Sequence, residues 1–227
     1  MILEVRAVAP FYKNGFVVGC ERTRAAVVID PGDEIDEILA AVRDRDVQVQ
    51  HILLTHAHLD HISGVDTARN ALDAPVYLHR DDLVLYERVV EQGAMFGFKV
   101  RPQPPVDVFY DMSPVYFGDY EVRVHHTPGH CPGGVCLQIR KKGEGGKGEG
   151  GNHLFVGDTL FAGSIGRTDL PGGNYDVLMQ SITGVLFTLG DEAIVHPGHG
   201  ADTTIGRERA TNPFVVEYLA KGTPSSG

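Results

Sequence analysis

Apolar positions along the chain fall into short runs separated by longer stripes, and that spacing distinguishes strands from helices. Residues 5–8, 15–20 and 25–30 are apolar runs bounded by polar turns and predict three strands of a meander. The opening stretch, with Glu4 and Arg6 inside an apolar run, carries the same β-strand pattern. After the turn Asp30-Pro31-Gly32-Asp33, Ile35, Ile38, Leu39 and Val42 stand at i, i+3, i+4 and i+7, one stripe of an amphipathic helix. A buried strand over 52–54, a helix over 65–72, a strand over 76–79 and a helix over 81–92 are predicted next. The second half repeats the style, with strands at 121–126, 135–140, 154–156 and 193–196 and helices at 176–188 and 213–220. Interspersed strands and helices in both halves predict an α/β protein of two packed sheets with helices outside. No linker divides the chain, so 1–220 is read as a single domain and 221–227 as a disordered tail. The Gly/Glu/Lys stretch 141–151 has almost nothing to bury and predicts a flexible hairpin loop, a polar lid being the functional alternative.

Composition narrows the partners. A hydrophobic fraction of 42% and a charged fraction of 22% are those of an ordinary globular protein. No window approaches the ~18 consecutive apolar residues of a membrane helix, so no membrane partner is expected. The start carries no basic leader, and the expected location is the cytoplasm. A net charge of −10 without a basic arm argues against a nucleic-acid partner. Cys20, Cys131 and Cys136 form no CxxC pair and no disulfide framework, in keeping with a reducing compartment. Oligomeric state leaves no signature in this pattern.

The candidate chemistry is concentrated in Thr55-His56-Ala57-His58-Leu59-Asp60-His61. Imidazole nitrogen and carboxylate oxygen are ligands for zinc, iron and manganese, and four such groups in one turn have little structural use. His56 and His58, two apart in extended chain, point the same way and can share one metal. Asp60 and His61 follow as the chain turns, and their diverging side chains could serve a second. Three later turns repeat the pattern of an apolar strand ending in a glycine turn that delivers one ligand-type residue. They are Thr127-Pro128-Gly129-His130, Gly157-Asp158-Thr159 and Pro197-Gly198-His199. Asp158 reads as the only other acid placed directly after a buried strand in this style. Its bland alternative is a helix N-cap.

These motifs, with the segments 155–163, 166–173 and 198–208, resemble the metallo-β-lactamase superfamily, and within it the compact glyoxalase II-like hydrolases. The resemblance covers all but the 141–151 insert and the tail. It implies a four-layer αβ/βα sandwich of two mixed sheets, with two divalent metal ions (zinc, iron or manganese) at one edge. By that resemblance His56, His58 and His130 would bind one metal, Asp60, His61 and His199 the other, and Asp158 would bridge them. Asp60 and Asp158 would be the catalytic carboxylates, and Arg167 would hold a substrate carboxylate, unless it simply pairs with Asp169. The implied activity is hydrolysis of a glutathione-type thioester such as S-lactoylglutathione by a metal-bridging hydroxide. A small-molecule acyl thiol is the expected partner. A thiolate, with a parent pKa near ~8.5, leaves without a general acid, which suits so minimal a site. Larger glyoxalase II enzymes carry a C-terminal helical domain that has no counterpart before residue 227.

Two other readings stand beside this one. A persulfide dioxygenase of the same fold would use a single iron on His56, His130 and Asp158. A non-catalytic metal-binding protein is the second. β-Lactamase and nuclease activities fit less well. Among the remaining histidines, His51, His79, His125, His126, His153 and His196 lie in or beside strands and read as packing or supporting groups. Cys131, next to His130, reads as packing rather than as an oxidation-sensitive thiol. Met95, Phe96 and Phe98 could wall the cleft or pack in the core.

Overall fold

The computed structural model describes residues 1–111, 113–143 and 151–221. The first sheet runs β1 (Ile2–Arg6), β2 (Gly15–Gly19), β3 (Ala25–Ile29), β4 (Gln48–Leu53), β5 (Val76–Leu78) and β6 (Val108–Phe109), in that spatial order. Strands β1 to β3 pair antiparallel, and β3 to β6 pair parallel. The second half contributes β7 (Val115–Phe117), β8 (Tyr120–His126), β9 (Val135–Lys141), β10 (His153–Gly157), β11 (Leu160–Phe161), β12 (Ser164–Ile165), β13 (Ile194–Pro197) and β14 (Thr203–Thr204). Its main sheet has the order β14-β13-β10-β9-β8-β7, and β11 pairs with β12 in a separate ribbon.

Side-chain alternation explains why the central strands β2 and β3 are apolar throughout. Phe16, Val18, Val27, Ile29 and Leu53 face Phe117, Val122, Leu137, Ile139 and Phe155 in a core between the sheets. Phe16 meets Phe155 edge-on at 5.0 Å there, a contact of about 0.5–1.5 kcal/mol beyond the area it buries. Their sequence neighbours Val17, Ala26 and Val28 point the other way, onto α1 (Ile35–Asp44) through Ile38, Ala41 and Val42. Ile52, Leu54 and Val76 pack outward against α2 (Leu59–Ile62), α3 (Val65–Leu72), α4 (Leu83–Glu87) and α5 (Val89–Met95). Cys136, Leu154, Val156 and Val195 do the same against α6 (Tyr175–Gln180), α7 (Ile205–Thr211) and α8 (Pro213–Ala220). A strand buried on both faces has no polar face to show. The result is helices, sheet, sheet, helices, the α/β architecture expected.

Several elements depart from the sequence reading. The first strand is Ile2–Arg6 and not 5–8. The helix expected over 81–92 is a 3₁₀ turn (Arg80–Asp82) followed by α4 and α5, broken at Arg88, where the backbone leaves helical geometry. Gln92 Nε2 satisfies the Leu85 carbonyl at this break, at 2.8 Å. The helix expected over 176–188 holds its α form only through Gln180, then widens into a π turn (Ser181–Val185) and tightens into a 3₁₀ turn. Thr183 back-bonds to the Met179 carbonyl there at 2.7 Å, which weakens regular pairing. The hairpin loop expected at 141–151 joins two antiparallel strands, β9 and β10, but its residues 144–150 lie outside the described residues, as do 222–227 of the expected tail. Among the described residues no helix is long and apolar enough to cross a membrane.

Candidate metal centre

Strand direction gathers the candidate ligands. Strands β3 and β4 are parallel, so Asp30 and the 54–61 segment leave the first sheet at one edge. Strand β9 is antiparallel to both β8 and β10, and β10 is parallel to β13. The turns carrying His130, Asp158 and His199 therefore also leave the second sheet at one edge. Backbone bonds join the two edges: Val135 N donates to Thr55 O at 2.8 Å, and Asn14 N to Gly198 O at 2.7 Å.

All seven residues singled out from the sequence meet here. One ligand atom each from His56, His58 and His130 lie within 4.8 Å of one another, as do those of Asp60, His61 and His199, and those of His56, His61 and Asp158. Asp158 stands between the triads, with Oδ1 3.4 Å from His61 Nε2 and Oδ2 3.7 Å from His130 Nε2 and 3.6 Å from His199 Nε2. Asp60 Oδ2 lies 3.1 Å from His199 Nε2. His199 is one-third exposed (33%) while His61 is fully buried (0%), so the centre opens on the His199 side.

The histidines are held by their outer nitrogens. Thr55 donates its hydroxyl to Asp30 Oδ2 at 2.6 Å and so accepts from His56 Nδ1 at 3.1 Å. His61 Nδ1 donates to Asp30 Oδ2 at 2.9 Å, and His130 Nδ1 donates to the Arg167 carbonyl at 2.8 Å. Each bond fixes the orientation of its ring and turns Nε2 towards the centre, where His130 Nε2 lies 2.8 Å from His58 Nδ1. Among the described residues, His56 Nε2, His61 Nε2 and Asp158 Oδ1 are buried without a hydrogen-bond partner. Orphaned buried polar atoms are costly, at about 1–3 kcal/mol each, and a cation would satisfy all three. The donor set therefore fits one or two divalent ions.

Electrostatics agree. Burial, reinforced by His61 and its other imidazole neighbours, holds His56 well below the ordinary histidine range, and burial with His130 lowers His58 to about 4. Both are neutral at pH 7, the form that coordinates metal. Burial would also lower His61, but Asp60, Asp158 and Asp30 outweigh it and raise the imidazole to about 10. Asp60 and Asp158 are held down despite burial, chiefly by His61. In the metal-free protein the His61 proton thus supplies the positive charge that a cation would otherwise bring.

Sequence reasoning missed several supporting groups. The sequence pattern places Asp30 in a turn and makes Asp158 the only other acid directly after a buried strand. Asp30 in fact ends β3 in the same way, and its carboxylate also accepts from Thr55 N at 2.7 Å. Strand-end position was the signal that could have found it. Asp82 accepts from Ala57 N at 2.9 Å and Gly133 N at 2.5 Å, so it ties the His56–His58 turn to the His130 turn. Gln92 donates to Ala57 O and accepts from Leu59 N, each at 3.0 Å, bracketing His58. Nothing local in the sequence marks either residue. The buried Cys131 thiol donates to Asp82 at 3.2 Å, and burial with that carboxylate raises it far above the thiol range. Arg167 points its guanidinium at Asp169 at 2.7–2.8 Å, and its contact with the centre is through its carbonyl. Met95, Phe96 and Phe98 are exposed, and Phe96 and Phe98 pack edge-on against Phe11.

Comparison with known proteins agrees with this geometry. The chain is similar to hydroxyacylglutathione hydrolase GloC of Haemophilus influenzae, 31% identical over 95% of this chain and 98% of that one. Among solved structures it is similar to TTHA1623 in a di-iron-bound form, 39% identical with a TM-score of 0.79 over 93% of this chain and 99% of that one. It is similar to the BLEG-1 B3 metallo-beta-lactamase at 34% identity and a TM-score of 0.83, covering 94% and 99% of the two chains. ETHE1 from Myxococcus xanthus is 28% identical, with a TM-score of 0.73 over 99% of this chain and 93% of that one. The model of the metallo-beta-lactamase superfamily matches residues 8–199, and the chain belongs to that superfamily.

Proposed function

We propose that the protein is a dinuclear metallohydrolase that cleaves thioesters of glutathione or a related thiol, of the S-lactoylglutathione type. The observation that carries this reading is the pair of adjoining triads with Asp158 between them and three buried, unpartnered ligand atoms facing inward. His56, His58 and His130 would hold one ion, Asp60, His61 and His199 the other, with Asp158 shared. Divalent ions bound there supply Lewis acidity, lowering the pKa of a coordinated water towards neutrality and polarising the thioester carbonyl. The chain's own contribution is positional. Asp30 and Thr55 lock His56 and His61, and Asp82 and Gln92 fix the backbone around His58. The exposed Arg167 guanidinium, on the segment whose carbonyl holds His130, is proposed to take a carboxylate of the thiol carrier. No acid is needed to protonate a departing thiolate. The likeness to GloC supports this substrate class.

The likeness to ETHE1 supports a second reading, a mononuclear iron persulfide dioxygenase using His56, His130 and Asp158. Metal analysis with two assays separates them. Two metal ions per chain with hydrolysis of S-lactoylglutathione are expected. A single iron with oxygen uptake on glutathione persulfide would replace the first reading with the second.

A further inference from the structure

Outside the centre, two histidines and an aspartate converge at the same edge of the fold. His79 follows β5, Asp81 lies in the 3₁₀ turn after it, and His126 ends β8 of the other sheet. One ligand atom from each lies within 4.8 Å of the other two. The imidazoles of His79 and His126 stack face to face, 4.1 Å apart and 11° from parallel. His79 Nδ1 lies 3.8 Å from Asp81 Oδ2.

Two stacked imidazoles repel when both carry a proton, and their packing gain alone is small. Their hydrogen bonds instead leave one lone pair free and hold the other only by a long bond. His126 Nε2 donates to the Pro132 carbonyl at 2.9 Å, which puts its proton there and leaves Nδ1 bare. His79 Nδ1 accepts from Asp81 N at 3.3 Å, the long bond of the set and one that an ion would replace at little cost. Arg80 lays its guanidinium over the Phe109 ring, 4.1 Å from its centre. Asp81 supplies the anionic oxygen.

We propose that His79, Asp81 and His126 form a third metal site, separate from the central one, for a late first-row divalent cation of the zinc, nickel or copper type. Two imidazoles and one carboxylate are the donors such ions prefer over calcium or magnesium. The site is open to solvent, with Asp81 more than half exposed, so water would complete the coordination. The proposal is independent of which reaction the central ions support.

The test is zinc stoichiometry of the full chain, reconstituted with zinc and examined by equilibrium dialysis with metal analysis. Wild-type protein is expected to bind one equivalent more than His126→Gln and His79→Gln, both of which keep the central equivalents. Asp81→Asn, a substitution at an exposed position, is expected to weaken the extra equivalent without disturbing the fold, as checked by circular dichroism. Should one histidine variant fail to fold, the other and Asp81→Asn carry the comparison. Wild-type protein that takes up no zinc beyond the central equivalents overturns the proposal. So does an extra equivalent that survives both His126→Gln and Asp81→Asn.

Discussion

A single proton at His61 competes with any cation the centre binds, and its behaviour is measurable. The folded-state pKa of His61 is raised to about 10 in the metal-free protein, mainly by Asp60, Asp158 and Asp30 against the cost of burial. The stability it contributes is therefore fully present below the ordinary imidazole value of ~6.5 and is lost as pH rises through about 10. Asp158 is shifted the other way, so its contribution is present above the carboxylate range and lost as pH falls below it. The Tm of metal-free protein should consequently fall as pH is raised from 7 to 10, with metal-loaded protein far less affected. Loading at pH 7 should release about one proton per chain from His61, in addition to any given up by a coordinated water, readable by pH-stat, because ion and proton compete for His61 Nε2. An unchanged pH would show that His61 is already neutral. Asp158→Ala should lose metal and nearly all turnover, and normal metal content in that variant would remove Asp158 from the centre. Arg167→Ala should raise KM for a glutathione thioester by roughly 10-fold or more with kcat little changed, the size of a lost charged hydrogen bond. An unchanged KM would leave Arg167 as no more than a partner of Asp169.

At the scale of elements, the centre depends on turns that bring backbone close to ligands. A Cβ at Gly198 would lie 2.2 Å from Asp158 Oδ1 and 2.7 Å from His61 Cε1, so only glycine fits between β13 and His199. Gly198→Ala should cost roughly 1–3 kcal/mol and reduce metal content, measured by urea unfolding and metal analysis. Retention of both would mean that the turn gives way without moving its ligands. The seven candidate ligands were legible in the sequence because each follows an apolar strand in a short polar motif. Asp82 and Gln92 were not, because they act on a backbone segment 25 and 35 residues away, a distance that no local pattern encodes. The long strands and the three-residue β5 were legible too, whereas β6, β7, β11, β12 and β14, at two or three residues, are too short for a period to show. Helix breaks at Arg88 and beyond Gln180 escaped notice because apolar spacing continues across them while hydrogen bonding does not.

Across the whole molecule, buried polar groups beside the centre brace the first half and, through Asn14, pin it to the second. Lys13 Nζ pairs with Glu34 at 2.5 Å and donates to the Asp30 carbonyl, with both side chains 1% exposed. Removing one partner strands a buried charge, so Lys13→Met should destabilise the protein by about 3–5 kcal/mol in urea unfolding. Lys13→Met combined with Glu34→Leu should recover part of that loss, and a double variant weaker than the single one would refute the ion-pair account. Next to Lys13, Asn14 donates through its side chain to the carbonyls of Pro197 and Gly200 at 3.0 and 2.9 Å.

That Asn14 clasp spans 183 residues of chain to Pro197. It sets an order in time as well as in space. During synthesis the His56–His61 turn leaves the ribosome well over a hundred residues before His199 and the segment that clasps Asn14. A nascent chain that stops short of this segment can offer isolated histidines but not the finished cradle, so full metal loading has to wait until residue 200 has emerged, and a product terminated before it would be left without it.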